Sequence, residues 1–258
     1  RACQWRWNGL KSRPAADKRP ARMPMLRGAT LLVCLLTGIC GCGRLASIEP
    51  VPPAVQAEAA SHCRAYFLNR PWQIVQSMTA YLPGGDARNA ISVLRIYPER
   101  GRIQCVIMSL EGLVLFDGAY EGGMSVTRAV PPFDDQQFQE TMFADIRLAL
   151  LPPEAGVAQA GNLADGTPVC RYVRPGNAGF VEVRISGRGR LEIRQYNAGK
   201  RLRKTVSACY SRSCGAPESG VPEEIPAKIS VIHHGFFDYR LSLRALKAKP
   251  LSTKGSAE

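Results

Sequence analysis

The sequence is poor in the side chains on which most enzymes rely. Its only histidines are His62, His233 and His234, and they form no His-Glu-x-x-His pair. A Gly-x-Ser-x-Gly elbow, a P-loop and the glycine pattern of a dinucleotide fold are absent too. No Cys-x-x-Cys or clustered histidine offers metal-ligand spacing. These absences argue against elbow-type hydrolases, zinc proteases, nucleotide-driven enzymes and dinucleotide oxidoreductases. His233 and His234 precede Gly235 and read as solvated turn residues; Asp134-Asp135 and Glu223-Glu224 read as cap and loop residues. The chain is expected to bind rather than catalyse, without cofactor or metal.

Long apolar runs are missing as well. The longest, Ala29–Ile39, is too short to span a bilayer. It follows Arg27 and leads into Ile39-Cys40-Gly41-Cys42, the layout of a secretory signal peptide ending in a lipobox, with Cys42 as the lipid acceptor. Residues 1–22 precede Met23 and read as an upstream extension, 23–41 as the signal, 42–61 as the lipidated cysteine with a small-residue and Pro-rich flexible tether, 62–248 as the domain and 249–258 as a disordered tail. Gly43, rather than Asp, follows Cys42. This favours the outer membrane, facing the periplasm.

A balanced charge is a third absence, and its location disposes of nucleic acid as a partner. Of the net +13, residues 1–41 hold +7, leaving +6 for the exported part, a mild bias compatible with anionic headgroups or a solvated basic surface. Five cysteines follow Cys42: Cys63, Cys105, Cys170, Cys209 and Cys214. An oxidising compartment makes disulfides plausible. The close pair Cys209 and Cys214 is the candidate bridge, and the odd count leaves at least one thiol free.

What is present is β-structure. Pro71–Leu82, Ala90–Tyr97, Arg102–Ser109, Leu113–Tyr120 and Met124–Val130 alternate, separated by turns such as Pro83-Gly84-Gly85-Asp86 and Glu121-Gly122-Gly123. Connections this short require antiparallel hairpins. A helix capped by Asp134 or Asp135 runs to about Leu151, with Phe138, Met142, Ile146 and Ala149 on one stripe, widened by Phe143 and Leu150. Residues 154–179 look irregular, apart from a short strand at Pro168–Val173. Alternation returns at Val181–Ile185, Leu191–Arg194, Leu202–Ala208 and in a last hairpin, Ile225–His233 with Phe237–Leu246. About ten strands and one helix predict a mainly β (α+β) fold: a strongly curved antiparallel sheet, or half-barrel, whose concave apolar side the helix covers as a plug or lid. Trp72, Ile74, Met78, Phe116, Phe138, Met142, Phe143, Ile146, Phe237 and Tyr239 are the candidate lining of an acyl pocket, though packed core would use the same residues.

Four stretches carry a family resemblance: Ile107-Met108-Ser109-Leu110-Glu111-Gly112-Leu113, Phe143-Ala144-Asp145-Ile146-Arg147-Leu148-Ala149-Leu150-Leu151-Pro152, Arg190-Leu191-Glu192-Ile193-Arg194-Gln195-Tyr196 and Ile225-Pro226-Ala227-Lys228-Ile229-Ser230-Val231. In this order, over roughly residues 62–246, the pattern resembles the lipoprotein-localisation family of LolA, a periplasmic carrier, and LolB, an outer-membrane receptor. It is also similar to a LolB-like lipoprotein family found beside aryl-polyene biosynthesis genes. The resemblance implies an acyl-bearing lipid or lipoprotein as cargo, a LolA-like carrier as partner, membrane attachment through the lipid, and a monomer. It places Leu110 on the leucine that LolB projects into the membrane, although Ser109 replaces the LolB proline and Glu111 is inserted before the glycine. The other reading is an envelope scaffold with a filled core.

Overall fold

The computed structural model describes residues 45–81, 87–187, 189–210, 221–234 and 239–252. Cys42, Cys214 and Phe237 lie outside the described residues, as does the whole signal segment. The described chain forms one antiparallel sheet. Its strands are β1 (Glu49–Pro50), β2 (Trp72–Tyr81), β3 (Ala87–Tyr97), β4 (Arg102–Met108), β5 (Val114–Tyr120), β6 (Met124–Ala129), β7 (Val157–Asn162), β8 (Pro168–Val173), β9 (Phe180–Ile185), β10 (Arg190–Tyr196), β11 (Leu202–Cys209), β12 (Lys228–His233) and β13 (Arg240–Pro250). Helix α1 is Pro53–Arg64 and helix α2 is Gln136–Leu150.

In space the strands run β1-β7-β8-β9-β10-β11-β12-β13-β2-β3-β4-β5-β6. Two meanders, β2 to β6 and β7 to β13, are thus joined where the last strand pairs with β2. Ala248 lies opposite Ile74, and Leu243 opposite Met78. The sheet is strongly curved and does not close, with β1 and β6 at its two ends. The chain passes from β6 at one end to β7 near the other through α2, so this helix crosses the concave side.

Period-two alternation decides which side chains face inward. One row runs Ala160, Cys170, Val183, Ile193, Val206, Val231 and Leu241 across seven strands. Another joins Ile74, Leu94 and Cys105, and a third joins Trp72, Ile96 and Ile103. With Phe67 and Leu68 after α1, and Phe143, Ala149 and Leu150 of α2, these rows form one continuous buried cluster.

The stretch 42–61, expected to be a flexible tether, is folded where it is described. Ala46 and Ile48 lie on the outer face, where Ile48 packs with Leu163 and Val169. β1 then pairs with β7, and α1 packs on the inner face, where Cys63 is disulfide-bonded to Cys170. The N-terminal segment therefore clasps the sheet edge from both sides. Gly161 permits the close approach, since a Cβ there would run into the Glu49 carbonyl oxygen. Pro52, Pro53 and the run of alanines made this stretch look like a linker, but proline at the first turn of a helix is favourable and alanine is the best helix former. Likewise, β7 occupies part of the stretch expected to be irregular.

Beneath the clasp, on the outer face of β8 to β10, lies a buried charge cluster. Glu182 is fully buried and accepts from Arg171 at 2.5 Å and from Arg184 at 2.7 Å. The Tyr196 hydroxyl donates to the same carboxylate at 3.3 Å. Arg171 also donates to the Ala46 carbonyl, tying the clasp to the cluster.

Candidate functional site

Helix α2 starts where Asp135 caps it, its Oδ1 accepting from the Phe138 backbone N–H at 2.7 Å. It ends before Pro152 and Pro153, which cannot extend it. Its C-terminal end is tied to the fold: the Leu68 N–H donates to the Leu150 carbonyl at 3.0 Å. Its N-terminal half is tied by Gln139, whose Nε2 donates to the Phe133 carbonyl at 2.7 Å, and borders open space. An open groove of about 620 Å³ lies there, lined by Tyr120, Gly123, Met124, Val126, Gln136, Gln139 and Glu140, between the helix and the β5–β6 end of the sheet.

The candidate acyl-pocket residues divide by depth. Trp72, Ile74 and Phe116 of the sheet and Phe143 of α2 are at most 2% exposed and belong to one buried cluster. Met78, Met142 and Ile146 are half-buried and pack against that core. Phe138, expected inside, is 37% exposed, because it sits on the first turn of α2 where the helix overhangs the groove. An aromatic ladder leads inward from it: Phe138 meets Phe133 edge-on at 5.4 Å between ring centroids, Phe133 lies 6.1 Å from Phe116, and Phe116 lies 6.1 Å from Phe143. Tyr239 directs its hydroxyl away from this apolar set into a polar knot.

That knot was not expected. Asp145 projects from the inner side of α2 and is buried. It forms an ion pair with Lys204 of β11, which is also buried. Its Oδ2 accepts from His233 Nε2 at 3.1 Å and from the Tyr239 hydroxyl at 2.7 Å. The hydroxyl lies 2.6 Å from His233 Nε2, and the two rings stack at 4.1 Å. With the tyrosine proton committed to Asp145, the imidazole proton sits on Nε2. His233 is thus not a solvated turn residue but the last residue of β12, facing inward opposite Lys204. His234 bonds Thr205 at 2.9 Å instead.

A signal for this knot existed in the sequence. Lys204 occupies the inward phase of β11 between Leu202 and Val206, and Asp145 interrupts the apolar stripe of α2 between Met142 and Ile146. Two opposite charges at positions meant for apolar residues point to each other. Burial opposes ionisation of Asp145, but the His233 hydrogen bond and the Lys204 charge outweigh it and hold the carboxyl below its ordinary value. A carboxylate whose pKa is depressed by folding stabilises the fold above its unfolded pKa, and the benefit disappears as pH falls through the folded value. Stability should therefore drop on acidification below the ordinary carboxylate range. Asp145→Asn should flatten that part of the profile in denaturant melts between neutral pH and about pH 3.

Leu110 is 64% exposed and Leu113 is 54% exposed, at the tip of the β4–β5 turn. Gly112 takes a φ of 89° there, and the Ser109 N–H donates to the Leu113 carbonyl at 2.9 Å. Cys209 is disulfide-bonded, while Cys214 lies outside the described residues. The Cys63–Cys170 bridge went unread because the two residues are 107 apart in sequence. Cys105 is the free thiol among the described residues; burial, then the charge of Asp117, pushes it up to about 12, which makes it inert. No group of metal-ligating side chains occurs among the described residues, and no described helix is long and apolar enough to cross a membrane.

No curated protein matches the sequence. Among solved structures, a LolA superfamily protein from Nitrosomonas europaea matches with a TM-score of 0.51 at 11% identity, over 76% of this chain and 94% of that one. At this identity the likeness is one of fold. A putative outer membrane lipoprotein-sorting protein domain from Vibrio parahaemolyticus gives a TM-score of 0.45 at 9% identity, over 79% and 95% of the two chains. A DUF1329 family protein from Desulfovibrio piger gives 0.42 at 11% identity, over 80% and 95%. A family model matches residues 73–205, from β2 into β11, which includes the whole of α2 and Lys204. With just over half of its length so matched, the chain belongs to the family described as "Protein of unknown function (DUF3261)".

Proposed function

We propose that the protein is an envelope lipoprotein that takes up the acyl chains of a lipid or lipoprotein beneath α2 and assists their transfer to the outer membrane, without catalysing a reaction. The observation that carries this reading is the aromatic ladder from the exposed Phe138 to the core under a helix fixed at its C-terminal end. Swinging the N-terminal end of α2 outward would open the concave face along the groove, where each buried acyl methylene contributes about 0.8 kcal/mol. That is enough to hold one or two chains reversibly. Cys42, if lipidated, would keep the domain at the membrane, and Leu110 with Leu113 would offer an apolar tip to it. A LolA-like carrier is the partner this arrangement suits.

Native mass spectrometry of the purified chain, with and without added lipids, tests the uptake. Bound acyl species are expected, and Ala149→Trp, which wedges a bulky ring between α2 and the core, should abolish them. A folded protein that stays empty with every lipid would instead favour the envelope scaffold, a reading that draws on the dense packing of Trp72, Ile74, Phe116 and Phe143.

The tip is tested separately. Leu110→Glu should change stability by less than about 0.5 kcal/mol, since nothing buried is lost. Delivery of bound acyl cargo to acceptor vesicles, followed by fluorescence, should fall sharply. Unchanged delivery would remove the tip from the mechanism.

A further inference from the structure

The knot under α2 divides its charges unevenly. The sheet and its last hairpin carry the cation Lys204, the imidazole of His233 and the hydroxyl of Tyr239, whereas the covering helix carries the carboxylate that all three address. Glu182, the other buried carboxylate among the described residues, lies on the outer face with its own arginines. Lifting α2 therefore removes the acid that balances Lys204 inside the hollow. If water replaced α2 the cost would be small, but acyl chains exclude water, and a buried cation without a counter-charge is strongly unfavourable. A ligand that brings its own negative charge removes that penalty.

We infer that Lys204, His233 and Tyr239 form a receiving site for the anionic head group of an acyl-bearing ligand, a position that Asp145 occupies while α2 is closed. The inference rests on the uptake proposed above and narrows the cargo to acidic amphiphiles, whether the acid is a carboxylate or a phosphate. Asp145 is then an internal competitor: it keeps the empty protein closed and yields only to a ligand able to replace its charge. The inward row that contains Lys204 leads through Gln195 and Val181 to Tyr172, whose hydroxyl is buried and without a hydrogen-bond partner in the closed protein. Buried hydroxyls rarely lack a partner, and this one belongs to the same inward face of the sheet as Lys204.

Binding of oleate, of its neutral ester monoolein, of lysophosphatidylglycerol and of inorganic phosphate to the purified chain tests the site. At least one acidic amphiphile should bind roughly tenfold to a hundredfold more tightly than monoolein, the range of a hydrogen-bonded charge. Which acid does so tells a carboxylate from a phosphate. Because Lys204→Gln alone strands Asp145 and could unfold the protein, the informative variant is the neutral pair Asp145→Asn with Lys204→Gln. In it the affinity ratio of acidic to neutral amphiphile should fall to near one. Equal affinities in the unmodified protein, a ratio that survives in the double variant, or inorganic phosphate binding as tightly as lysophosphatidylglycerol would overturn the site while leaving acyl uptake standing. Failure of every amphiphile to bind would overturn the uptake itself, and this inference with it.

Discussion

Glu182→Ala should be the most damaging single substitution in the described residues, with a loss of about 3–5 kcal/mol, because it leaves the buried Arg184 and the largely covered Arg171 without their common counter-charge. The cost is that of stranding two cations, and is not a measure of what the intact cluster contributes. Replacing Arg171, Glu182 and Arg184 together by Met, Leu and Met should therefore be far milder, since apolar residues of similar size often substitute for a buried ion cluster at little cost. Denaturant melts of the two variants decide the matter. A single variant as stable as the parent would mean that the charges are solvated in practice. The damage should also be directional: without Glu182, Arg171 loses the partner that orients it toward the Ala46 carbonyl, so amide exchange should rise first in residues 45–50.

Replacing Cys63 and Cys170 together by alanine should cost roughly 2–5 kcal/mol. The loop that the bridge closes spans 107 residues, near the length for which chain-entropy arguments give about 4.7 kcal/mol. Both sulfurs are buried, so the exchange to alanine leaves a small void as well, and the upper half of the range is expected. The double variant is a cleaner test than a reductant, which would also open the bridge of Cys209. A melting curve unchanged by the double variant would show that the α1 packing alone sets the position of the N-terminal segment.

Much of this fold can be read from the chain, and the limits have physical causes. The strands from Trp72 to Ala129 were bounded to within a few residues because each alternates cleanly and each turn carries glycine or proline. α2 was equally plain, with an aspartate cap, an apolar stripe and a proline stop. β7 was not: Val157-Ala-Gln-Ala-Gly-Asn162 has one β-branched residue, and it is held by pairing on both sides rather than by propensity. α1 was hidden because a helix made of small residues shows no face until something packs on it. Seven of the candidate pocket residues fall in or against one buried cluster, whereas Phe138 lies exposed, and the polar pairing beside that cluster was missed. Asp145 and Lys204 each break a local pattern and are consistent only as a pair, 59 residues apart. Pairings of that range are decided by the tertiary fold, which is why an interior charge at a patterned position is better read as half of a pair than as an exception.

The edge clasp also sets how the molecule carries load. Were the chain held at a membrane through Cys42, as proposed, it would be pulled from its N-terminal side. Tension arriving through β1 and α1 would cross to β7 by strand pairing and from Cys63 directly to Cys170 of β8, so the covalent path bypasses β2 to β6 and α2. Helix α2 would thereby be insulated from a pull on the N-terminal segment.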